Sequence, residues 1–146
     1  MIGTGARLRV LPEALERLRQ MAEGKIEPRF EPWGFSSGAT PELLSEGERE
    51  WAKTSPRVRY HDMAACDQFD IMKEVDKIRL PALMVCGRED RLTPVKYSEY
   101  LKGKIPGSKM EILEGAGHTV MLEAPEALSK VIFTFLRSLG SSSPHR

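Results

Sequence analysis

Apolar and polar positions follow two different patterns along the chain, and the first is helical. Pro12 begins a segment whose apolar residues recur at helical spacing. Thr40-Pro41 and Ser55-Pro56 each combine an N-cap side chain with a proline in the first turn. They predict two further helices, which run to about Lys53 and about Phe69.

The second pattern begins after a short helical stretch from Ile71 to Ile78. Ala82–Cys86 is a continuous apolar run, which is typical of a parallel strand covered on both faces. Thr93-Pro94 predicts the start of a helix, Lys109–Leu113 predicts a second strand, and Pro125 begins a last helix with a wide apolar stripe. A helical segment of about 75 residues followed by β-α-β-α predicts the α/β class.

Composition and charge narrow the class of protein. The 146 residues are 40% hydrophobic and 29% charged, which is typical of one globular domain or part of one. The chain has 22 basic and 21 acidic residues and therefore a net charge of +1. We therefore expect no electrostatic binding to nucleic acid or to an anionic membrane. No apolar run has the length of a membrane span, and no leader sequence is recognisable.

Cysteine and histidine usage predicts neither a disulfide framework nor a bound cofactor. Cys66 and Cys86 are isolated thiols, so we expect a cytoplasmic location. His61 and His145 have no partner at metal-ligand spacing, and the chain has no glycine-rich phosphate loop. We therefore expect no metal and no cofactor.

Two short turns, each led by glycine, carry the candidate chemistry. Asp90 ends the turn Gly87–Asp90 directly after the first predicted strand, and His118 ends the turn Gly115–His118 directly after the second. Functional side chains collect beyond the carboxyl ends of parallel strands, so we expect these two to lie close together. A carboxylate bound to one imidazole nitrogen would set the tautomer of a general base. From spacing alone, Asp90 could equally cap a loop and His118 could be a polar turn residue.

The sequence motifs of the two turns resemble those of the α/β-hydrolase superfamily. The resemblance is carried by Gly87–Asp90 with Thr93-Pro94, and by Gly115–His118 followed by Glu123-Ala124-Pro125-Glu126. It implies that Asp90 is the acid and His118 the base of a Ser-Asp-His triad.

The same resemblance extends over nearly the whole chain and implies its domain organisation. Residues 1–5 are expected to end a core strand, and residues 6–78 to form a helical cap over the active site. Residues 79–140 are expected to form the C-terminal part of an α/β-hydrolase core. Residues 141–146 are predicted to be a disordered tail because they are polar and terminal.

The nucleophile of such a triad has no convincing candidate. Gly34–Gly38 matches the pattern Gly-x-Ser-x-Gly literally and precedes the acid and the histidine in the family's order. However, Pro28–Trp33 before it contains two prolines and two charges, which a central strand does not tolerate. The next helix start also waits until Thr40. We therefore reject Ser36 as the nucleophile.

Three functions follow from the sequence and stay open. The chain is the cap and C-terminal half of a hydrolase, inactive alone, that acts on a small hydrophobic ester or related bond once an N-terminal half completes it. Alternatively, it is a non-catalytic interaction or dimerisation module derived from a hydrolase, or a complete small hydrolase that uses Ser36. Because the apolar strand Ala82–Cys86 lies near a sheet edge, we also expect self-association through that edge or marginal folding.

Overall fold

The computed structural model describes residues 1–140, which divide into two compact units. Among the described residues, the core unit comprises Met1–Gly5, Trp33–Ala39 and residues 73–140. The helical unit comprises Ala6–Pro32 and Thr40–Met72. The predicted tail, residues 141–146, lies outside the described residues.

These units differ in two places from the boundaries predicted from the sequence. Residues 33–39 and 73–78, which we had assigned to the cap, belong to the core unit. In the first segment, hydrogen bonds to two carboxylates of the core unit, described below, account for the difference. In the second, Val75 is fully buried within the core unit, and only a single 3-10 turn, Val75–Lys77, forms there.

The helical unit consists of three helices that begin where the sequence predicts. They are α1 (Pro12–Ala22), α2 (Pro41–Ala52) and α3 (Pro56–Gln68), and α1 packs against α3. Each has proline in its first turn, where the missing N–H costs no hydrogen bond. Thr40 and Ser55 cap α2 and α3 by accepting the backbone N–H of Leu43 and Val58, each at 3.3 Å.

The core unit is built on two parallel strands, β1 (Leu83–Gly87) and β2 (Lys109–Leu113), which pair in register from Leu83 with Lys109. The helix α4 (Val95–Lys104) connects them. On the other side of β1, Ile2 forms a parallel bridge with Val85, and the N–H of Gly3 donates to the carbonyl of Val85 at 2.9 Å. The strand β1 therefore lies between β2 and the first residues of the chain.

Both faces of β1 are covered, as its unbroken apolar pattern predicts. The short helix α5 (Val120–Glu123) and the last helix α6 (Pro125–Gly140) supply one cover. There Leu83 and Val85 pack with Val120 and Leu128. Met84 and Cys86 alternate to the opposite face and are fully buried, as is Leu101 of α4. No helix in residues 1–140 is long and apolar enough to cross a membrane.

Candidate active site

The turns that follow β1 and β2 are joined backbone to backbone, so their side chains share one edge of the sheet. The N–H of Arg88 donates to the carbonyl of Leu113, and the N–H of Glu89 donates to that of Ala116, each at 2.9 Å. The contact leaves no room for a side chain at Gly87, where a Cβ would lie 2.1 Å from the carbonyl oxygen of Gly117. This close contact fixes the position of the turn that carries Asp90 relative to the turn that carries His118.

Asp90 is buried and accepts hydrogen bonds at both carboxylate oxygens. Its Oδ1 accepts the backbone N–H of Leu92 at 2.9 Å and that of Thr93 at 2.7 Å. Its Oδ2 accepts the hydroxyl of Thr93 at 2.9 Å. The sequence had suggested that Thr93 caps α4. Instead Thr93 binds the acid, and α4 has no side-chain cap. These bonds hold the carboxylate in one orientation.

The structure brings His118 directly onto that carboxylate. Its Nδ1 lies 3.0 Å from Oδ2 of Asp90 and 3.3 Å from the hydroxyl oxygen of Thr93. An ionised carboxylate only accepts, so Nδ1 carries a proton and donates it to Asp90. Gly3, at a φ of +49°, lies against the ring, where a Cβ would approach Nδ1 at 3.2 Å. Within residues 1–140, Nε2 makes no hydrogen bond, and the side chain is 32% exposed.

The electrostatics of this site favour an ionised acid. Burial by itself would raise the pKa of Asp90, but the hydrogen bonds from His118 and Thr93 outweigh it and hold that pKa below its ordinary value. The thiol of Cys86 lies beneath the acid, with Sγ 3.9 Å from Oδ2. Burial first, and then the charge of Asp90, raise the pKa of Cys86, so the thiol stays neutral.

Ser36 does not sit in a nucleophile elbow. The residues before it form no strand, and α2 begins only at Pro41, so the required strand–turn–helix geometry is absent there. Ser36 is nevertheless part of the core unit, where its backbone N–H donates to Oε1 of Glu123 at 2.6 Å. Its hydroxyl makes no hydrogen bond to His118.

Two charged side chains of the acid turn have polar partners. Arg88 donates from Nε and Nη2 to the carboxylate of Glu114 at 2.8 to 3.3 Å, and both side chains of this pair are exposed. Glu89 accepts the N–H and the hydroxyl of Ser37 at 2.8 and 2.6 Å. These hydrogen bonds lower the pKa of Glu89. In residues 1–140, no three histidine, cysteine or acidic side chains converge as metal ligands.

One residue near the site was missed at the level of the sequence. Glu123 occurs in the stretch that carries the family resemblance, yet nothing in its spacing indicated a partner. Its carboxylate accepts hydrogen bonds from residues on both sides of His118 and from Ser36. Only the fold shows that the Glu123 carboxylate lies beside the histidine turn.

Comparison with known proteins identifies the fold family. The family model described as "alpha/beta hydrolase fold" matches residues 13–125. Among curated proteins, the chain is 31% identical over 121 residues to the monoacylglycerol lipase ABHD6 of Rattus norvegicus, covering 83% of this chain and 30% of that protein. It is 30% identical over 82 residues to a pimeloyl-[acyl-carrier protein] methyl ester esterase of Neisseria meningitidis, covering 56% of this chain and 32% of that one.

Solved structures give the same result for the fold. A thermophilic esterase aligns with a TM-score of 0.74 and 33% identity over 95% of this chain and 55% of its own. The chain therefore spans about half of that esterase and about a third or less of the curated relatives. The α/β class and the family resemblance predicted from the sequence are both confirmed. On this combined basis, the chain belongs to the α/β-hydrolase fold family.

Proposed function

We propose that this chain supplies the acid, Asp90, and the general base, His118, of a Ser-Asp-His triad that hydrolyses an ester or related bond. The observation that carries the proposal is the 3.0 Å bond from Nδ1 of His118 to Oδ2 of Asp90. It leaves Nε2 without a hydrogen-bond partner within residues 1–140, so that this nitrogen is available to a serine hydroxyl. The esterase and lipase relatives support the bond type.

The two side chains would act in sequence on a serine hydroxyl. Nε2 of His118 takes the hydroxyl proton while the serine oxygen bonds to the ester carbonyl carbon. Asp90 stabilises the resulting imidazolium and does not itself take the proton. Nε2 then returns the proton to the leaving alkoxide as the carbon–oxygen bond breaks. Water repeats the cycle on the acyl-enzyme and releases the carboxylic acid.

The serine itself would come from polypeptide outside these 146 residues. Ser36 lacks the elbow geometry, and the described residues hold no other serine between a strand end and a helix start. We expect the chain alone to be inactive for that reason. By family resemblance, the helical unit would cover a small hydrophobic substrate.

A chimera tests the proposal directly. A segment of a hydrolase such as the thermophilic esterase that supplies a nucleophile elbow would be fused before Met1 and assayed on short-chain nitrophenyl esters. We expect activity in the chimera and none in the chain alone. Asp90→Asn should lower kcat about 10⁴-fold and His118→Ala about 10⁶-fold. The exposed Glu126→Gln serves as a control that should leave the rate unchanged.

Two results would overturn the proposal. The first is a folded, active chimera whose rate survives His118→Ala. The second is activity in the chain alone that both Ser36→Ala and His118→Ala abolish, which would favour a complete small hydrolase instead.

A second candidate function is an interaction module, because α6 exposes large apolar side chains. Phe133 is 65% exposed and Leu136 is 54% exposed. Both lie on the same side of α6, since they are three positions apart. Met1 and Ile2 are also partly exposed beside β1. A second copy of the chain would cover these surfaces, so sedimentation should detect a dimer that Phe133→Glu dissociates.

The cytoplasmic location remains a prediction from cysteine usage alone.

A further inference from the structure

The carboxylate of Glu123 bridges three backbone or side-chain donors around His118. Its Oε2 accepts the N–H of Gly117 at 2.8 Å and the hydroxyl of Thr119 at 2.9 Å. Its Oε1 accepts the N–H of Ser36 at 2.6 Å, across 87 positions of sequence. Glu123 therefore binds the residue before the histidine, the residue after it, and a turn from a distant part of the chain.

The turn around Ser36 also accepts hydrogen bonds from the histidine turn. The carbonyl of Gly34 accepts the N–H of His118 at 2.6 Å and that of Thr119 at 3.2 Å. The two turns touch so closely that a Cβ on Gly117 would lie 2.7 Å from the backbone nitrogen of Ser36. The backbone on both sides of the imidazole is thus held by reciprocal hydrogen bonds between the two turns.

We propose that Glu123 is a positioning residue for His118. It joins the histidine turn to the Gly34–Ser36 turn and so keeps Nδ1 on Asp90. The literal Gly-x-Ser-x-Gly match then has a role as a brace for the base, through its backbone rather than through the serine hydroxyl. The catalytic consequence rests on the proposed function above, but the effect on the imidazole does not.

The requirement for a carboxylate follows from the donors it meets. Within residues 1–140, the three hydrogen-bond partners of the Glu123 carboxylate are all donors: two backbone N–H groups and one hydroxyl. A glutamine has only one acceptor oxygen, so its amide NH₂ would face an N–H on one side and leave that N–H unpaired. Glu123→Gln keeps the size of the side chain while breaking the bridge. Glu123→Asp keeps the charge, but it is one methylene shorter and cannot span both turns.

The test is histidine NMR on the 146-residue chain, with Glu126→Gln as a matched loss of charge in the first turn of α6. In the wild type and in Glu126→Gln, we expect the downfield resonance of an Nδ1 proton held by a carboxylate. In Glu123→Gln and Glu123→Asp, that resonance should disappear through exchange, and the nitrogen shifts should show a mixture of tautomers. Circular dichroism and thermal melting would establish that each variant folds.

The chimera adds a kinetic measurement, which can fail separately from the NMR test. There, Glu123→Gln should lower kcat about 100-fold at unchanged KM, because the base is misplaced while binding is kept. A folded Glu123→Gln variant that keeps the Nδ1 resonance overturns the positioning role. Loss of cooperative melting in both Glu123 variants overturns it too, since Glu123 would then stabilise the whole unit. Loss of the resonance in an inactive chimera supports the positioning role and counts only against the proposed function.

Discussion

Replacing Gly87 with alanine should separate the acid turn from the histidine turn. A Cβ at position 87 would lie 2.1 Å from the carbonyl oxygen of Gly117 and 2.3 Å from that of Ala116. Real Cβ atoms keep at least 3.0 Å from such atoms, so the turns must move apart by about 0.9 Å, the difference between 3.0 and 2.1 Å. Because both obstacles are backbone atoms, no side-chain rotation can relieve the contact.

That displacement is large compared with the bond it would stretch. Nδ1 of His118 lies 3.0 Å from Oδ2 of Asp90. A shift of about 0.9 Å along this direction would exceed the range of roughly 2.7–3.2 Å in which such bonds form. Overpacking of this kind costs about 1–3 kcal/mol of unfolding free energy. In the chimera, a misplacement of about 1 Å should lower kcat about 100-fold.

The assay compares Gly87→Ala with Gly103→Ala by urea unfolding and by the NMR resonance of the Nδ1 proton. Gly103 lies in α4 and has nothing within 4 Å of a Cβ position. Alanine there should stabilise the chain by up to about 1 kcal/mol through its better helix propensity. If Gly87→Ala matched Gly103→Ala in stability and kept the Nδ1 resonance, the close contact between the turns would be wrong.

Three further predictions concern the acid, the base and one helix cap. The pKa of Asp90 is lowered by folding, so its contribution to stability is present above the unfolded value of about 3.9 and lost as pH falls through the folded value. The difference in unfolding free energy between wild type and Asp90→Asn should therefore shrink in acid; a difference independent of pH would contradict this. His118→Phe should make the melting temperature of the chain less sensitive to acid, because it removes the hydrogen bond that does most to lower the pKa of Asp90, and it should abolish esterase activity in the chimera. Retained activity would exclude His118 as the base. Thr40→Ala should cost about 1 kcal/mol by removing the cap of α2, measured by urea unfolding, whereas Thr54→Ala just after α2 should cost less.

Local signals predicted the elements well. Proline in the first turn marked the starts of α1, α2, α3 and α6, and β2 has the bounds that the sequence predicted, Lys109–Leu113. β1 begins and ends one residue later than expected, since the ladder to β2 extends to Gly87. The stretch 71–78 forms only a single 3-10 turn, and α5 was not predicted. Both are short segments, in which packing rather than helical periodicity decides the conformation.

The candidate site was predictable only in part. Asp90 and His118 could be named because the ends of adjacent parallel strands meet at one edge, and because the family resemblance singles out these two turns. Their catalytic roles remain predictions. The position of Ser36 in the core unit could not be foreseen, because its anchor is a backbone N–H bound by Glu123. Any carboxylate can accept such a donor, so the sequence pattern carries no sign of the partner.

The amino-acid sequence by itself determined the class of this protein, most of its helix starts and its two core strands, and it named Asp90 and His118 as the candidate pair. These depend on caps, on apolar periodicity and on short turns, all of which act over a few neighbouring residues. Only the tertiary structure decided that the Gly34–Ser36 turn braces the histidine and that Thr93 holds the acid instead of capping α4. Those contacts join distant or competing partners, and the choice among them depends on which backbone groups folding brings within hydrogen-bond distance.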